Sequence, residues 1–450
     1  MVREKFKSRL GFLLVSAGCA IGIGNVWKFP YIAGQNGGGI FVIFYLLFLV
    51  IMGIPVLTME LAVGRASRKS TVIAYKLLEK KGQFWHIHGW VGIIGCFVLM
   101  MYYTVVSGWI IDYFYKFASG KFNAVVTGHS DGIFSQMLAD PIEMIIFLAI
   151  TVIIGFAVCE LGLQKGVESI TKYMMLGMFG LIIILVVNTL TLNGAKDGLK
   201  FYLMPDFSRV IEIGLGNVIT ASMNQAFFTL GIGLASMEIF GSYMSDENTL
   251  ISESIRICSL DTFVAIASGL IVFSACYSFK IKPDAGPSLI FITLPEVFIN
   301  MSGGRLWGTI FFLFMSFASL STVIAVFENL VASFIENFKI KRRTASAIIS
   351  IMILIASLPC LFGWNIWKNF TPIGNKNILE SEDFIVSNIL LPIGALVYLL
   401  FCVTEWGWGF DKYIEEVNTG KGIRLSRKFK TYFQFVLPII ILIIFISGLR

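Results

Sequence analysis

Stretches of about 20 mostly apolar residues recur along this chain, and they constrain its fold more than any motif does. A helix crossing the hydrocarbon core of a bilayer needs ~20 such residues. Eleven candidates fit: 10–32, 38–64, 86–116, 142–160, 166–190, 216–243, 253–279, 304–337, 344–364, 383–404 and 431–448. The apolar segment 284–300 is too short to span and reads as a re-entrant or extracellular hairpin element. Hydrophobic residues make up 56% of the 450 and charged residues 14%, against ~25% charged in soluble proteins. A soluble globule of this size still leaves roughly a quarter of its chain surface in water. The composition therefore excludes a soluble enzyme, a disordered chain and a nucleic-acid binder. The expected class is an all-α polytopic membrane protein, with one transmembrane domain over 1–450.

With the N-terminus placed in the cytoplasm, 22 of the 35 Lys and Arg residues fall on the inner side and 12 on the outer. Inner loops carry that excess in membrane proteins. The expectation is a cell-membrane protein with the N-terminus cytoplasmic and, after eleven spans, the C-terminus outside. The net charge of +7 then needs no nucleic acid to explain it. The seven cysteines lie in or beside apolar runs without a CxxC pair, and the three histidines form no ligand set. The cysteines read as buried small hydrophobes, and neither a disulfide framework nor a zinc site is expected. The basic start followed by an apolar run has the look of a signal peptide. The run continues to Phe29 with no small-residue cleavage site, so it reads as a first span.

Two spans carry a break signal. Residues 18–25 read Gly-Cys-Ala-Ile-Gly-Ile-Gly-Asn in the first, and residues 229–236 read Thr-Leu-Gly-Ile-Gly-Leu-Ala-Ser in the sixth. Each glycine costs about 1 kcal/mol relative to alanine in a helix. The competing reading is close helix packing, but that favours small residues four apart, and these glycines stand two apart. Unwound backbone at mid-membrane depth is tolerated only where it lines a cavity. A matching pair of interrupted spans points to an inverted-repeat transporter with a mid-membrane site. A 5+5 arrangement fits, with repeats over 10–190 and 216–404 and a peripheral helix over 431–448. Asn25, Gln225, Thr229, Asp261, Ser321 and Thr322 also lie inside apolar spans. Their oxygens suit a hard monovalent cation. An intramembrane carboxylate costs at least ~2.5 kcal/mol unless paired or hydrated, so Asp261 reads as a cation ligand. Glu60, Glu238 and Glu328 read as hydrogen-bond partners of loose backbone.

The segment from Ala20 to Pro30 (Ala-Ile-Gly-Ile-Gly-Asn-Val-Trp-Lys-Phe-Pro), followed by Asn36-Gly-Gly-Gly39, resembles the first-helix signature of the neurotransmitter:sodium symporters. Gln225-Ala-Phe-Phe-Thr-Leu-Gly-Ile-Gly233 is similar to their sixth-helix signature, Phe317-Ala-Ser-Leu-Ser-Thr322 to their eighth-helix sodium motif, and Phe291-Ile-Thr-Leu-Pro295 to the loop before it. The likeness runs from about Arg3 to the end. It implies the leucine-transporter fold of about eleven helices, with helices 1 and 6 unwound at mid-membrane. It also implies two sodium sites. The first would use the Ala20 carbonyl, Asn25, Thr229 and Asp261. The second would use carbonyls of Gly18, Ile21 and Ala318 and the hydroxyls of Ser321 and Thr322. A substrate carboxylate would meet the backbone N–H groups of Gly22, Ile23 and Gly24 and the Tyr103 hydroxyl, as helix N-termini favour anions. Leu99, Phe228, Gly231, Leu234, Thr322 and Val326 would line the rest of the pocket. Lys28 and Asp383 match an outer gate with Phe228 as its lid, and Arg3 and Glu336 an inner one.

The resemblance also narrows the cargo. The family's monoamine carriers place an aspartate where this chain has Gly22, so the ligand should bring its own carboxylate. The expectation is sodium-coupled symport of large neutral aliphatic or aromatic L-amino acids, because a charged side chain would sit uncompensated in an apolar pocket. Asp261 would supply the negative charge that chloride supplies in some members, while Tyr45 and Gln225 match that region and Ala265 offers no acid. Transport is thus expected to be independent of chloride. Two departures stand out. Lys28 replaces the usual arginine, which removes the bidentate fork. Gly166 is followed ten residues later by Leu176 instead of proline, which argues against fifth-helix unwinding at that point. A cation channel would need a filter-like motif, and an intramembrane enzyme a catalytic set at one depth; neither occurs in the sequence. A sodium-dependent amino-acid sensor is the remaining alternative.

Overall fold

The structure is a computed structural model that describes residues 4–124, 130–281 and 287–449. Among these residues the only β contacts are isolated bridges, such as Gly38 with Pro205 and Asn248 with Lys421. The principal helices are α1 (Arg9–Ala20), α2 (Ile23–Gln35), α3 (Gly39–Ser67), α4 (His86–Ala118), α5 (Pro141–Glu160), α6 (Leu163–Leu190), α7 (Leu215–Thr229), α8 (Ser236–Tyr243), α9 (Leu250–Phe279), α10 (Leu289–Asn300), α11 (Gly304–Phe338), α12 (Arg342–Phe362), α13 (Ile378–Val403) and α14 (Arg427–Gly448). Shorter helices such as Ala195–Leu203 and Phe410–Val417 connect them.

Nine of these helices, among the described residues, are long and apolar enough to cross a bilayer, and the pair α1 and α2, bent by 68°, makes a tenth candidate. The sixth expected span, 216–243, is divided between α7 and α8, the second of only 8 residues. The short α10 occupies the segment read as too short to span. Helix starts differ where polar residues open the helix and hide it from a count of apolar ones. The tenth span begins at Ile378, not 383, because Asn377 and Glu380 form a reciprocal cap, each side chain 2.9 Å from the other's backbone N–H. The fifth begins at Leu163, not 166. It opens with a π-turn, Leu163–Glu168, after Gly162 turns the chain at φ +90°.

The bundle has a graded interior. In the most apolar 18-residue window of α11, 83% of residues are buried, and in that of α9, 67%; the figures for α6 and α14 are 28% and 22%. α11 packs on α4 and α6, and α8 packs along α3. Between apolar helices in lipid, close backbone approach supplies much of the attraction. The α3–α8 contact is of this kind. A Cβ at Gly64 would lie 2.9 Å from Ser242 N, and one at Gly241 would lie 2.9 Å from Leu61 Cα.

Candidate functional site

The two breaks face one another at the centre. α1 ends at Ala20, Gly22 is extended (φ −127°, ψ −169°), and α2 restarts at Ile23. α7 ends at Thr229 and α8 begins at Ser236. Between them Gly231 (φ +58°) and Gly233 (φ +108°) take the left-handed conformations that glycine adopts without steric cost, and Ala235 (φ +62°) joins them. The freed backbone is satisfied from α3. The Glu60 carboxylate accepts from the N–H of Gly233 and, at 3.3 Å, from that of Met237.

Oxygen-bearing side chains gather at the first break in two groups. In one, Asn25 Nδ2 donates to Asp261 Oδ1 (2.8 Å) and to Thr229 Oγ1 (3.1 Å), and Thr229 Oγ1 donates to Asp261 Oδ2 (3.0 Å). Asn25 Oδ1 in turn accepts the Gly22 N–H at 3.1 Å. Asp261 is fully buried and these carboxylate partners are neutral. In the other group, Thr322 Oγ1 lies 3.1 Å from Gly18 O and 3.0 Å from Ile21 O, while Ser321 Oγ lies 3.2 Å from Gly18 O and 2.8 Å from Ala318 O. Asn25, Thr229 and Asp261 of the first expected sodium site thus share one location, and the five residues of the second share another; Ala20 lines the cavity beside Asn25 and Thr229.

All ten residues expected to contact substrate line one cavity of about 150 Å³ between the breaks. The Ile23 N–H donates to the Tyr103 hydroxyl at 3.2 Å, so one of the expected anion donors is engaged by the other. A Cβ built at Gly231 would meet nothing within 4 Å, which leaves open space beside the pocket wall.

The gate residues are arranged differently from expectation. Lys28 does not form the ion pair with Asp383. Its ammonium sits over the Phe228 ring, 3.3 Å from the centroid, a cation–π contact of about 0.5–2 kcal/mol. Asp383 Oδ1 accepts from Tyr102 Oη (3.0 Å) and Ser387 Oγ (2.8 Å) instead. The single ammonium of lysine, without arginine's fork, is satisfied by the aromatic face. At the other end of the molecule Glu336 accepts the Ser70 N–H at 2.7 Å. Its expected partner Arg3 lies outside the described residues. Phe6 stacks edge-on against Tyr243 at 6.0 Å.

A profile of the Sodium:neurotransmitter symporter family matches residues 3–127 and 133–450. The chain belongs to this family. It is 33% identical over 450 residues to the sodium-dependent transporter YhdH of Bacillus subtilis, covering 98% of this chain and 97% of that one. A sodium-dependent transporter of Haemophilus influenzae is 32% identical, over 99% and 98% of the two chains. The crystal structure of MhsT in complex with L-phenylalanine superposes with a TM-score of 0.88 at 32% identity, covering 99% of this chain and 100% of that one. The protein is therefore a sodium-dependent, multi-pass membrane transporter with the leucine-transporter fold.

Several contacts of this symporter were not legible in its sequence. Glu328, in the middle of α11, binds Arg342 at the start of α12 (2.7 Å) and the Tyr243 hydroxyl (2.8 Å). Glu168, in the π-turn of α6, accepts from the N–H groups of Lys7 (2.7 Å) and Ser8 (2.9 Å) and so caps the N-terminal segment. An acidic residue inside an apolar span was the available signal in each case; the partner lies 14 to 161 residues away in sequence.

Proposed function

We propose that the protein is a symporter that couples sodium to the uptake of large neutral L-amino acids by alternating access, without a need for chloride. The observation that carries this is the cavity between two helix breaks, with Lys28 and Asp383 as its charged lining residues, and behind its lining residues Asn25 and Thr229 a buried carboxylate, Asp261, whose partners in that cluster are neutral. Ala20, Asn25, Thr229 and Asp261 would hold one sodium ion, and Gly18, Ile21, Ala318, Ser321 and Thr322 a second. The charge of Asp261, at 0% exposure, calls for a cation, and a hard monovalent ion suits the oxygen set. Gly22 leaves no side-chain carboxylate to pair a substrate amine, so the substrate would present its own carboxylate beside the first ion. The aliphatic walls of Leu99, Leu234 and Val326 favour an uncharged side chain. The phenylalanine bound by the similar MhsT is of that kind.

Residues 10–190 and 216–404 would act as two five-helix repeats, with the breaks in α1–α2 and α7–α8 as matching elements and α14 outside both. The N-terminus would be cytoplasmic and the C-terminus external. The test is uptake of labelled neutral amino acids into proteoliposomes, with and without an inward sodium gradient. Sodium-driven accumulation supports the reading; binding without accumulation would make the protein a sensor.

A further inference from the structure

The polar groups around the cavity divide by position. Asn25, Thr229, Thr322 and Tyr103 belong to the ion and carboxylate sites proposed above, and Tyr102, Lys28 and Asp383 form the gate end. Apart from Trp27, two remain beyond the breaks, Cys19 and Ser236, both lining the cavity. Cys19 is the next-to-last residue of α1 and Ser236 the first of α8. They stand on the helix ends that flank the two breaks, and both border the same cavity. Both are more than 90% buried.

A further pair of polar groups lies against the backbone of Leu234, which also lines the cavity. The Cys96 thiol of α4 donates to Leu234 O at 3.1 Å, and Asn329 Nδ2 of α11 donates to that sulfur at 3.4 Å. Asn329 is 1% exposed and its Oδ1 has no hydrogen-bond partner. Cys19 and Ser236 thus make that part of the cavity lining polar, while Leu99, Leu234 and Val326 make its walls aliphatic. A hydroxyl has one donor and two acceptor positions, so Ser236 can answer a polar group of the substrate.

We propose that Ser236 and Cys19 form a hydrogen-bonding floor that favours substrates with a polar group at the far end of the side chain, the phenol of tyrosine or the indole of tryptophan, over phenylalanine. A phenyl ring seated there covers the floor without answering it, and burying a polar group unanswered is costly. A site built to hydrogen-bond one group discriminates against the isostere that lacks it. The inference rests on the amino-acid reading of the cavity and names a selectivity within it.

The experiment is displacement of labelled leucine from the full-length protein in sodium-containing buffer by tyrosine and by phenylalanine. Wild type is expected to prefer tyrosine by about three- to tenfold, the size of one neutral hydrogen bond. Ser236→Ala is expected to bring the ratio close to one, while Ser236→Thr, which keeps the hydroxyl, retains the preference. Cys19→Ala gives a second reading of the same ratio should Ser236→Ala not fold. A wild-type preference for phenylalanine, or a ratio that neither alanine variant moves, overturns the proposal. Failure of leucine itself to bind would overturn its premise, the amino-acid site, and is told apart because no ratio can then be measured.

Discussion

Asp261 is the residue on which the account turns. Its carboxylate is fully buried, and Asn25 and Thr229 hold both of its oxygens with neutral groups at 2.8 and 3.0 Å. Asp261→Ala is expected to abolish sodium-dependent substrate binding, and Asp261→Asn to keep the geometry while raising the sodium concentration for half-maximal binding at least about tenfold, a loss of ~1.4 kcal/mol; sodium titration of radioligand binding reads both. Tyr103→Phe removes the hydroxyl that orients the Ile23 N–H and should weaken substrate binding about tenfold with little change in sodium affinity, measured by the same assay. That the mid-span glycines, hydroxyls and carboxylate would gather at the breaks was readable, as much through the resemblance to the symporter family as through their place inside apolar spans. The placement of Lys28 was not. Whether an ammonium meets a carboxylate or an aromatic face depends on side-chain geometry between distant helices, and here the face of Phe228 lies nearer.

At the scale of elements, the sixth-span break depends on Glu60. Removing its carboxylate strips the Gly233 and Met237 N–H groups of their acceptor, at about 1–3 kcal/mol for each buried group left unpaired. Glu60→Ala should therefore lower the melting temperature of the detergent-solubilised protein by several degrees, and a melting temperature equal to wild type would count against this role. Gly233→Ala is strained twice, by φ +108° and by a Cβ placed 2.9 Å from Ala395 N, and is expected to abolish uptake. The glycine pairs made both breaks visible in advance. The π-turn at Leu163–Glu168 has no comparable signature, since an extra residue in a helical turn follows from the packing of its neighbours. Glu168 ties that turn to Lys7 and Ser8, so Glu168→Ala should make the N-terminal segment more accessible to limited proteolysis.

For the whole molecule, burial falls from the central α11 to the peripheral α6 and α14, as expected of a bundle with its cavity at the centre. The helical class and most spans followed from apolar length alone. The exact ends did not, because capping residues such as Asn377 are polar and fall outside an apolar window. If the Asp261 carboxylate supplies the compensating negative charge, replacing chloride with gluconate should leave uptake unchanged; loss of uptake would refute that role. The most direct test of the central claim is accumulation of labelled neutral amino acids in proteoliposomes driven by an inward sodium gradient, for wild type beside Asp261→Ala. The account predicts accumulation above equilibrium that requires the gradient and is lost in the variant. Accumulation that persists without sodium, or in Asp261→Ala, would contradict it.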